Sequence, residues 1–184
     1  LNQEFQVNKP GAVWVSDITY VWTNEGWLYL ATVMDLFSRR IIGWEMSKRM
    51  TKDLTITALQ RAINQQEPQE GLIHHSDRGS QYAANEYQAI LRSYKMTTSM
   101  SRKGNCYDNV CIESFHSVIK KELIFHQKYR TRKEAKRSIF AYIMTFYNYK
   151  RIDSSIGYLS PIAYEKKYAQ RMNETNRFEV LLPH

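Results

Sequence analysis

The 184 residues, 43% hydrophobic and 13% aromatic, suffice for one well-filled core and not for two, so a single domain is expected. No stretch approaches the roughly 18 consecutive apolar residues of a membrane span, and Leu1-Asn2-Gln3-Glu4 lacks the basic and apolar regions of a signal peptide, which points to a soluble, intracellular protein. The formal net charge of +8 is local: Lys120 to Arg151 holds ten basic residues against Glu122 and Glu134, and the rest of the chain balances.

Residues 1–10 are polar and read as an arm or linker. From Val13 to Val21, valines and aromatics surround Asp17 in a strand pattern. The turn Thr23-Asn24-Glu25-Gly26 leads into a second strand, Trp27 to Met34, and Asp35-Leu36-Phe37-Ser38 into a third, Arg40 to Met46. Short turns between three strands make an antiparallel meander. Thr51 is placed to cap a helix over Lys52 to Gln66, closed by Pro68 and Gly71. Gly71 to His75 reads as a short buried strand, Asn85 to Tyr94 as a helix and Met96 to Met100 as a last strand. After a polar loop, Ser101 to Tyr107, helices are expected at Asp108 to Phe125, Thr131 to Tyr149 and Pro161 to Met172.

Alternating strands and helices in the middle imply parallel pairing there. The expected fold is α/β and ribonuclease H-like, a mixed five-stranded sheet flanked by helices. Residues 11–127 would form the core and 128–184 a basic helical extension packed on it.

In the basic segment, Tyr129, Phe140, Tyr142, Phe146, Tyr147 and Tyr149 lie among the cations. Lys and Arg displace phosphate counterions and rings stack on bases, so the pattern suits a polyanion. A solvated helix face with its aromatics turned inward would look the same. Cys106 and Cys111 lack zinc-site spacing and are expected to be reduced, unpaired thiols.

Three carboxylates suit metal-assisted phosphoryl transfer, which needs hard oxygen ligands converging from separate elements. Asp17 lies mid-strand among apolar neighbours, Asp77 follows a strand at its carboxyl end, and Glu113 falls in the helix after the last strand. The thirty-five residues between Asp77 and Glu113 are weak evidence by themselves. Asn109, Glu113, His116 and Lys120, at steps of four, three and four, share one helix face. That face suits a metal and phosphate site, and it also suits plain exposure to water.

The segments Trp14-Val15-Ser16-Asp17-Ile18-Thr19-Tyr20, His75-Ser76-Asp77-Arg78-Gly79-Ser80-Gln81-Tyr82, Ser99-Met100-Ser101 and Asp108-Asn109-Val110-Cys111-Ile112-Glu113-Ser114-Phe115 closely resemble the transposases of the insertion-sequence-three group, within the retroviral integrase superfamily. The resemblance continues through Tyr147-Asn148, Arg151 and Gly157-Tyr158-Leu159-Ser160-Pro161, and so covers nearly the whole chain. It implies that Asp17, Asp77 and Glu113 form the catalytic triad and hold two Mg²⁺ or Mn²⁺ ions. It implies cleavage and joining of DNA strands in transposition of an insertion element, with terminal repeats and target DNA as partners. Lys120 matches a basic position that contacts DNA near the cleaved end; Arg78, Arg102, Lys103, Asn109 and Arg151 are nominated beside it. His75 and His116 are read as hydrogen-bond partners of the carboxylates rather than as catalytic groups. The resemblance further implies a bacterial cytoplasmic protein acting as a homo-oligomer. It implies as well an upstream helix-turn-helix region; Leu1, no initiator methionine, is read as the start of a piece of a longer polypeptide.

Two positions depart from the family: Val110 where alanine is usual, and Asp153 where histidine is common. A ribonuclease H or simple nuclease would share the carboxylates without strand transfer, but the Asp-Asn-x-x-x-Glu-Ser motif argues against it. The remaining rival is a DNA-binding module with an incidental triad.

Overall fold

The structure, a computed structural model, describes residues 7–100 and 110–180, with side chains through Thr175. The sequence-nominated Arg102, Lys103 and Asn109, the loop 101–107, and Cys106 lie outside the described residues.

Valine-rich and aromatic alternation yields a meander of β1 (Val13–Thr23), β2 (Gly26–Asp35) and β3 (Ile41–Ser47). Then come α1 (Lys52–Gln66), β4 (Ile73–Ser76), a one-turn α2 (Ser80–Ala83), α3 (Asn85–Ser93) and β5 (Thr97–Met100). The strands stand in the order β3-β2-β1-β4-β5. The β1–β2 and β2–β3 pairs are antiparallel, and the β1–β4 and β4–β5 pairs parallel, because a helical crossover returns the chain in the same direction. This is the mixed five-stranded sheet that the element order implies.

The two-residue period of β1 sends alternate side chains into two cores. Val13, Val15 and Val21 join Leu28, Leu30, Met34, Phe115, Ile119, Ile139 and Ile143 on one face. Trp14 joins Ala31, Val33, Ile42, Leu59, Tyr87 and Leu91 on the other. The first core is closed by α4 (Val110–Glu122) and α5 (Arg132–Ala141), the second by α1 and α3. Each fully buried large apolar side chain contributes about 1.5–3 kcal/mol. Helix α1 can lie this close to β3 only because Gly43 has no side chain: a Cβ there would come within 2.3 Å of the Ala58 carbonyl oxygen.

Three local expectations need correction. Thr51 occupies the N-cap of α1, but its side chain makes no capping bond; the capping box forms at α5 instead, where Thr131 accepts from the Glu134 amide. The helix expected over Thr131 to Tyr149 is α5 followed by a π-helix, Tyr142–Tyr147. Its wider turn lets Tyr142, Ile143 and Tyr147 all face the core. It also brings buried Asn148 to β3, where its Oδ1 accepts from the Ile41 amide (3.0 Å) and its Nδ2 donates to the Ile41 carbonyl (2.9 Å). The helix expected to run on to Phe125 ends as α4 at Glu122, followed by a 3-10 turn, Ile124–His126.

The last helix, α6 (Pro161–Val180), runs longer than expected. It is fastened to the β2–β3 turn, where Glu165 accepts from Ser38 Oγ and Arg40 Nη1, both at 2.8 Å, and Tyr164 and Tyr168 pack on Phe37. Of the aromatics in the basic segment, Tyr129, Tyr142 and Tyr147 are buried while Phe140, Phe146 and Tyr149 are exposed, so the segment is part core and part surface.

Candidate active site

The strand order makes the β1–β4 seam a switch point. From β1 the chain builds outward through β2 and β3, then starts again on the other side with β4 and β5. In such sheets ligand-binding groups collect at the carboxyl ends of the strands flanking the seam. The parallel ladder runs from Val13 opposite Ile73 to Ser16 opposite Ser76 and stops. The next residue on each strand is Asp17 and Asp77. Strand register alone therefore places two of the three sequence-nominated carboxylates side by side, one step beyond the ladder.

Each is held differently. Asp17 shares the face of Val13 and Val15, its side chain 19% exposed, and its Oδ1 accepts from the Ile18 amide at 2.8 Å. Asp77 lies at the exposed start of the turn into α2, where its Oδ1 accepts from the Gly79 amide at 2.8 Å. A Cβ on Gly79 would stand 2.9 Å from that same oxygen, so glycine there leaves the carboxylate its room.

The third carboxylate arrives on α4. Ile112, Phe115 and Ile119 bury one side of this helix against the sheet. Glu113, His116 and Lys120 consequently lie along its flank. Asp17, Glu113, His116 and Lys120 line one cavity of about 400 Å³. Asp77 is not in its lining.

His116, nearly buried, ties the helix to the strands. Its Nδ1 is 3.3 Å from Asp17 Oδ2, and its Nε2 is 2.9 Å from Thr32 Oγ1. The tautomer these partners favour carries its proton on Nδ1 toward the carboxylate and accepts from the threonine. Thr32 pairs with Asp17 across β1 and β2. This hydroxyl was not singled out from the sequence. The available signal was its parity: it alternates with Leu28, Leu30 and Met34 and so faces the same core.

Partial withdrawal from water raises the Asp77 carboxyl above its ordinary range, the Gly79 amide opposes this, and the charge of Asp17 adds to it. Glu113 is raised for the same reasons, by desolvation and then by Asp17, with His116 opposing. Asp17 is thus the hub whose charge both other carboxyls feel. Among the described residues, no three His, Cys, Asp or Glu side chains are gathered closely enough to hold a metal ion. The donor chemistry nonetheless fits a hard dication: three carboxylates from three elements, two of them resisting ionisation beside the third, a cost that a bound cation would offset.

The other nominated residues divide between the site and its surroundings. Lys120 stands with its Nζ 4.8 Å from the centre of the Tyr20 ring. Arg78 is exposed beside Asp77. His75 Nδ1 lies 2.9 Å from Ser99 Oγ on β5. Arg151 does not line the carboxylate cavity: it donates to Glu122 Oε1 at 2.9 Å and lines a separate cleft with Arg39, Cys111 and Asp153. Asp153 shapes that loop, its Oδ1 accepting from the Ser155 amide and hydroxyl at 2.8 and 2.7 Å. Cys111 is a free thiol, pushed up by burial.

A profile of the integrase core domain matches residues 7–106, and a second integrase core domain profile matches residues 113–168. The chain is 50% identical over 170 residues to the insertion element IS600 uncharacterized 31 kDa protein of Shigella sonnei, covering 92% of this chain and 62% of that protein. It is 48% identical over 166 residues to the transposase for insertion sequence element IS904 of Lactococcus lactis, covering 90% of this chain and 66% of that one. It therefore spans less than two thirds of either relative. Among solved structures, the catalytic core domain of HTLV-2 integrase in complex with magnesium superimposes with a TM-score of 0.66 at 18% identity, covering 85% of this chain and 97% of that one. At that identity the likeness establishes a shared fold, ribonuclease H-like. With the first profile spanning more than half its length, the chain belongs to the integrase core domain family.

Proposed function

We propose that this chain is the cutting and joining core of an insertion-sequence transposase, with Asp17, Asp77 and Glu113 as its catalytic carboxylates, residues 11–127 as its core and 128–184 as an extension packed on it. The observation that carries the reading is the register of the β1–β4 ladder, which sets Asp17 and Asp77 abreast at the switch point, with Glu113 facing Asp17 from α4. The curated relatives named for transposition support the choice of DNA as substrate.

The three carboxylates would hold Mg²⁺ or Mn²⁺, two ions per site, which when bound supply activation of the attacking oxygen and stabilisation of the leaving one. The chain's own residues do the positioning. His116, clasped between Thr32 and Asp17, fixes the direction of the carboxylate at the hub. Lys120, across the cavity, offers a cation to the substrate phosphate. Cleavage is in-line attack of water on phosphorus, breaking the bond to the 3′ oxygen and freeing a 3′ hydroxyl. Joining repeats the step with that hydroxyl as nucleophile: one P–O bond forms as another breaks, and no external energy source is needed.

Terminal repeats, target DNA, a second copy of the chain and an upstream helix-turn-helix region are the partners this reading requires. Arg78 and, outside the described residues, Arg102, Lys103 and Asn109 are its further DNA contacts; Arg151, held by Glu122, is better placed to brace α4. The test is strand joining on labelled terminal-repeat DNA with Mg²⁺ or Mn²⁺. The wild-type chain is expected to join strands, and Glu113→Gln to lose joining while binding DNA as before. Joining that persists in Glu113→Gln overturns the assignment.

A further inference from the structure

The ladder that aligns Asp17 with Asp77 also leaves β1 half open. Beyond Ser16 its described partner is β2 alone, so the other edge of Asp17–Thr23 carries no strand among the described residues. This half displays large rings to solvent: Tyr20 is 54% exposed, Trp22 57%, Trp27 43%, and Phe125, just past α4, 72%. A soluble domain does not leave four large aromatics together at its surface without a partner for them.

The rings frame a cleft of about 580 Å³, within the range of small-molecule sites. Trp27 meets Tyr20 and Trp22 edge-on, with ring centres 5.1 and 4.8 Å apart and planes at 84° and 75°. Edge-on packing leaves ring faces without a parallel neighbour, and a flat guest fills that space best. Among the described residues, the charged side chains lining the cleft are Lys120 and Lys128, and no carboxylate lines it. Asn24 and Gln127 add amides able to donate and accept. The cleft is also continuous with the candidate active site, since Tyr20, Lys120 and Phe125 line both.

We propose that this cleft receives an unpaired nucleobase of DNA, drawn out of the stack beside the phosphodiester held at the carboxylates. Stacking rings joined to basic residues that accept a phosphate are the chemistry of single-strand binding. A base taken out of its duplex needs such a pocket next to the reacting backbone. A second copy of the chain, adding a strand to the open edge, would use the apolar rings but would leave the two lysines without an anionic counterpart. The proposal rests on the reading of the neighbouring carboxylates as a DNA-processing site.

The test compares binding of the chain to a flush duplex and to the same duplex with three unpaired nucleotides at one end, one of them 2-aminopurine. The unpaired end is expected to bind about 10-fold tighter, with quenching of the 2-aminopurine. Trp22→Ala and Trp27→Ala should each abolish most of that preference and the quenching, and leave flush-duplex binding and circular dichroism unchanged. Trp22→Phe should restore both. No preference for the unpaired end, or equal losses on both DNAs, overturns the proposal. So does loss of a concentration-dependent dimer in Trp22→Ala with DNA binding intact, which would assign the cleft to a second copy. Base binding with strand joining absent in the wild-type chain counts against the transposase reading alone; joining with no base binding counts against the cleft alone.

Discussion

The two halves of β1 are one strand in two situations. From Val13 to Ser16 it is flanked by β2 and β4, and all four residues are buried. From Asp17 to Thr23 it is paired on one side and shows a carboxylate, Tyr20 and Trp22 to the surface. The closed half supplies stiffness and the open half spends it on display. A carboxylate one residue past the ladder inherits the rigidity of the sheet without the desolvation a fully buried charge would suffer.

The largest effect should come from the open half. Asp17→Asn is expected to lower strand cleavage by on the order of 10³-fold or more while shifting unfolding stability in urea by less than about 1 kcal/mol. A parallel collapse of stability would erase the distinction between the halves. Trp14, one of the most buried side chains of the closed half, is the converse case. Trp14→Ala should cost about 3–5 kcal/mol in urea unfolding while activity per folded molecule holds.

A smaller effect separates the halves by pH. In the closed half, buried His74 lies 2.9 Å from Ser16 Oγ and 3.0 Å from the Tyr87 hydroxyl, and burial presses its pKa down from 6.5 to about 3. The unfolded chain then takes up a proton that the folded chain refuses, so stability falls as pH drops through 6.5. Asp35, paired with Trp14 and fully buried, is pushed up from 3.8 to about 6 by that burial, so the folded chain binds a proton first and stability rises as pH drops through 6. Between pH 7.5 and 5 the histidine costs about 2 kcal/mol and the aspartate returns about 1. Urea unfolding at the two pH values should show a net loss. Asp35→Asn should steepen it and His74→Gln should remove it, and a wild-type gain toward pH 5 would contradict the histidine assignment. The smallest effect belongs to Trp22→Ala, whose unfolding stability should move by no more than about 0.5 kcal/mol, since so much of this ring is already in water.

Legibility followed the range of the forces involved. Strands and α1 were readable because side-chain alternation and helical spacing are local, and α1 begins and ends where that spacing sets it. The π-helix after α5 was not readable, because it answers to a distant demand, the reach of Asn148 to β3. The candidate carboxylates could be nominated from motif and setting. Thr32 could not, since nothing near it in the chain announces His116, 84 residues away. The role of Gly79 likewise emerges only from the room Asp77 requires. Arg151 could be nominated beside its motif, but its pairing with Glu122, a partner brought to it by the fold, could not.

By itself the amino-acid sequence determined the order of strands and helices, the concentration of positive charge after Lys120 and the three acidic residues worth testing, because each is written in neighbouring positions. Tertiary structure alone decided that Asp17 stands abreast of Asp77, that His116 bridges Asp17 to Thr32, and that four aromatic rings meet at the open edge of β1. Those arrangements depend on pairing register and on helix docking, which join residues far apart in the chain and have no local signature.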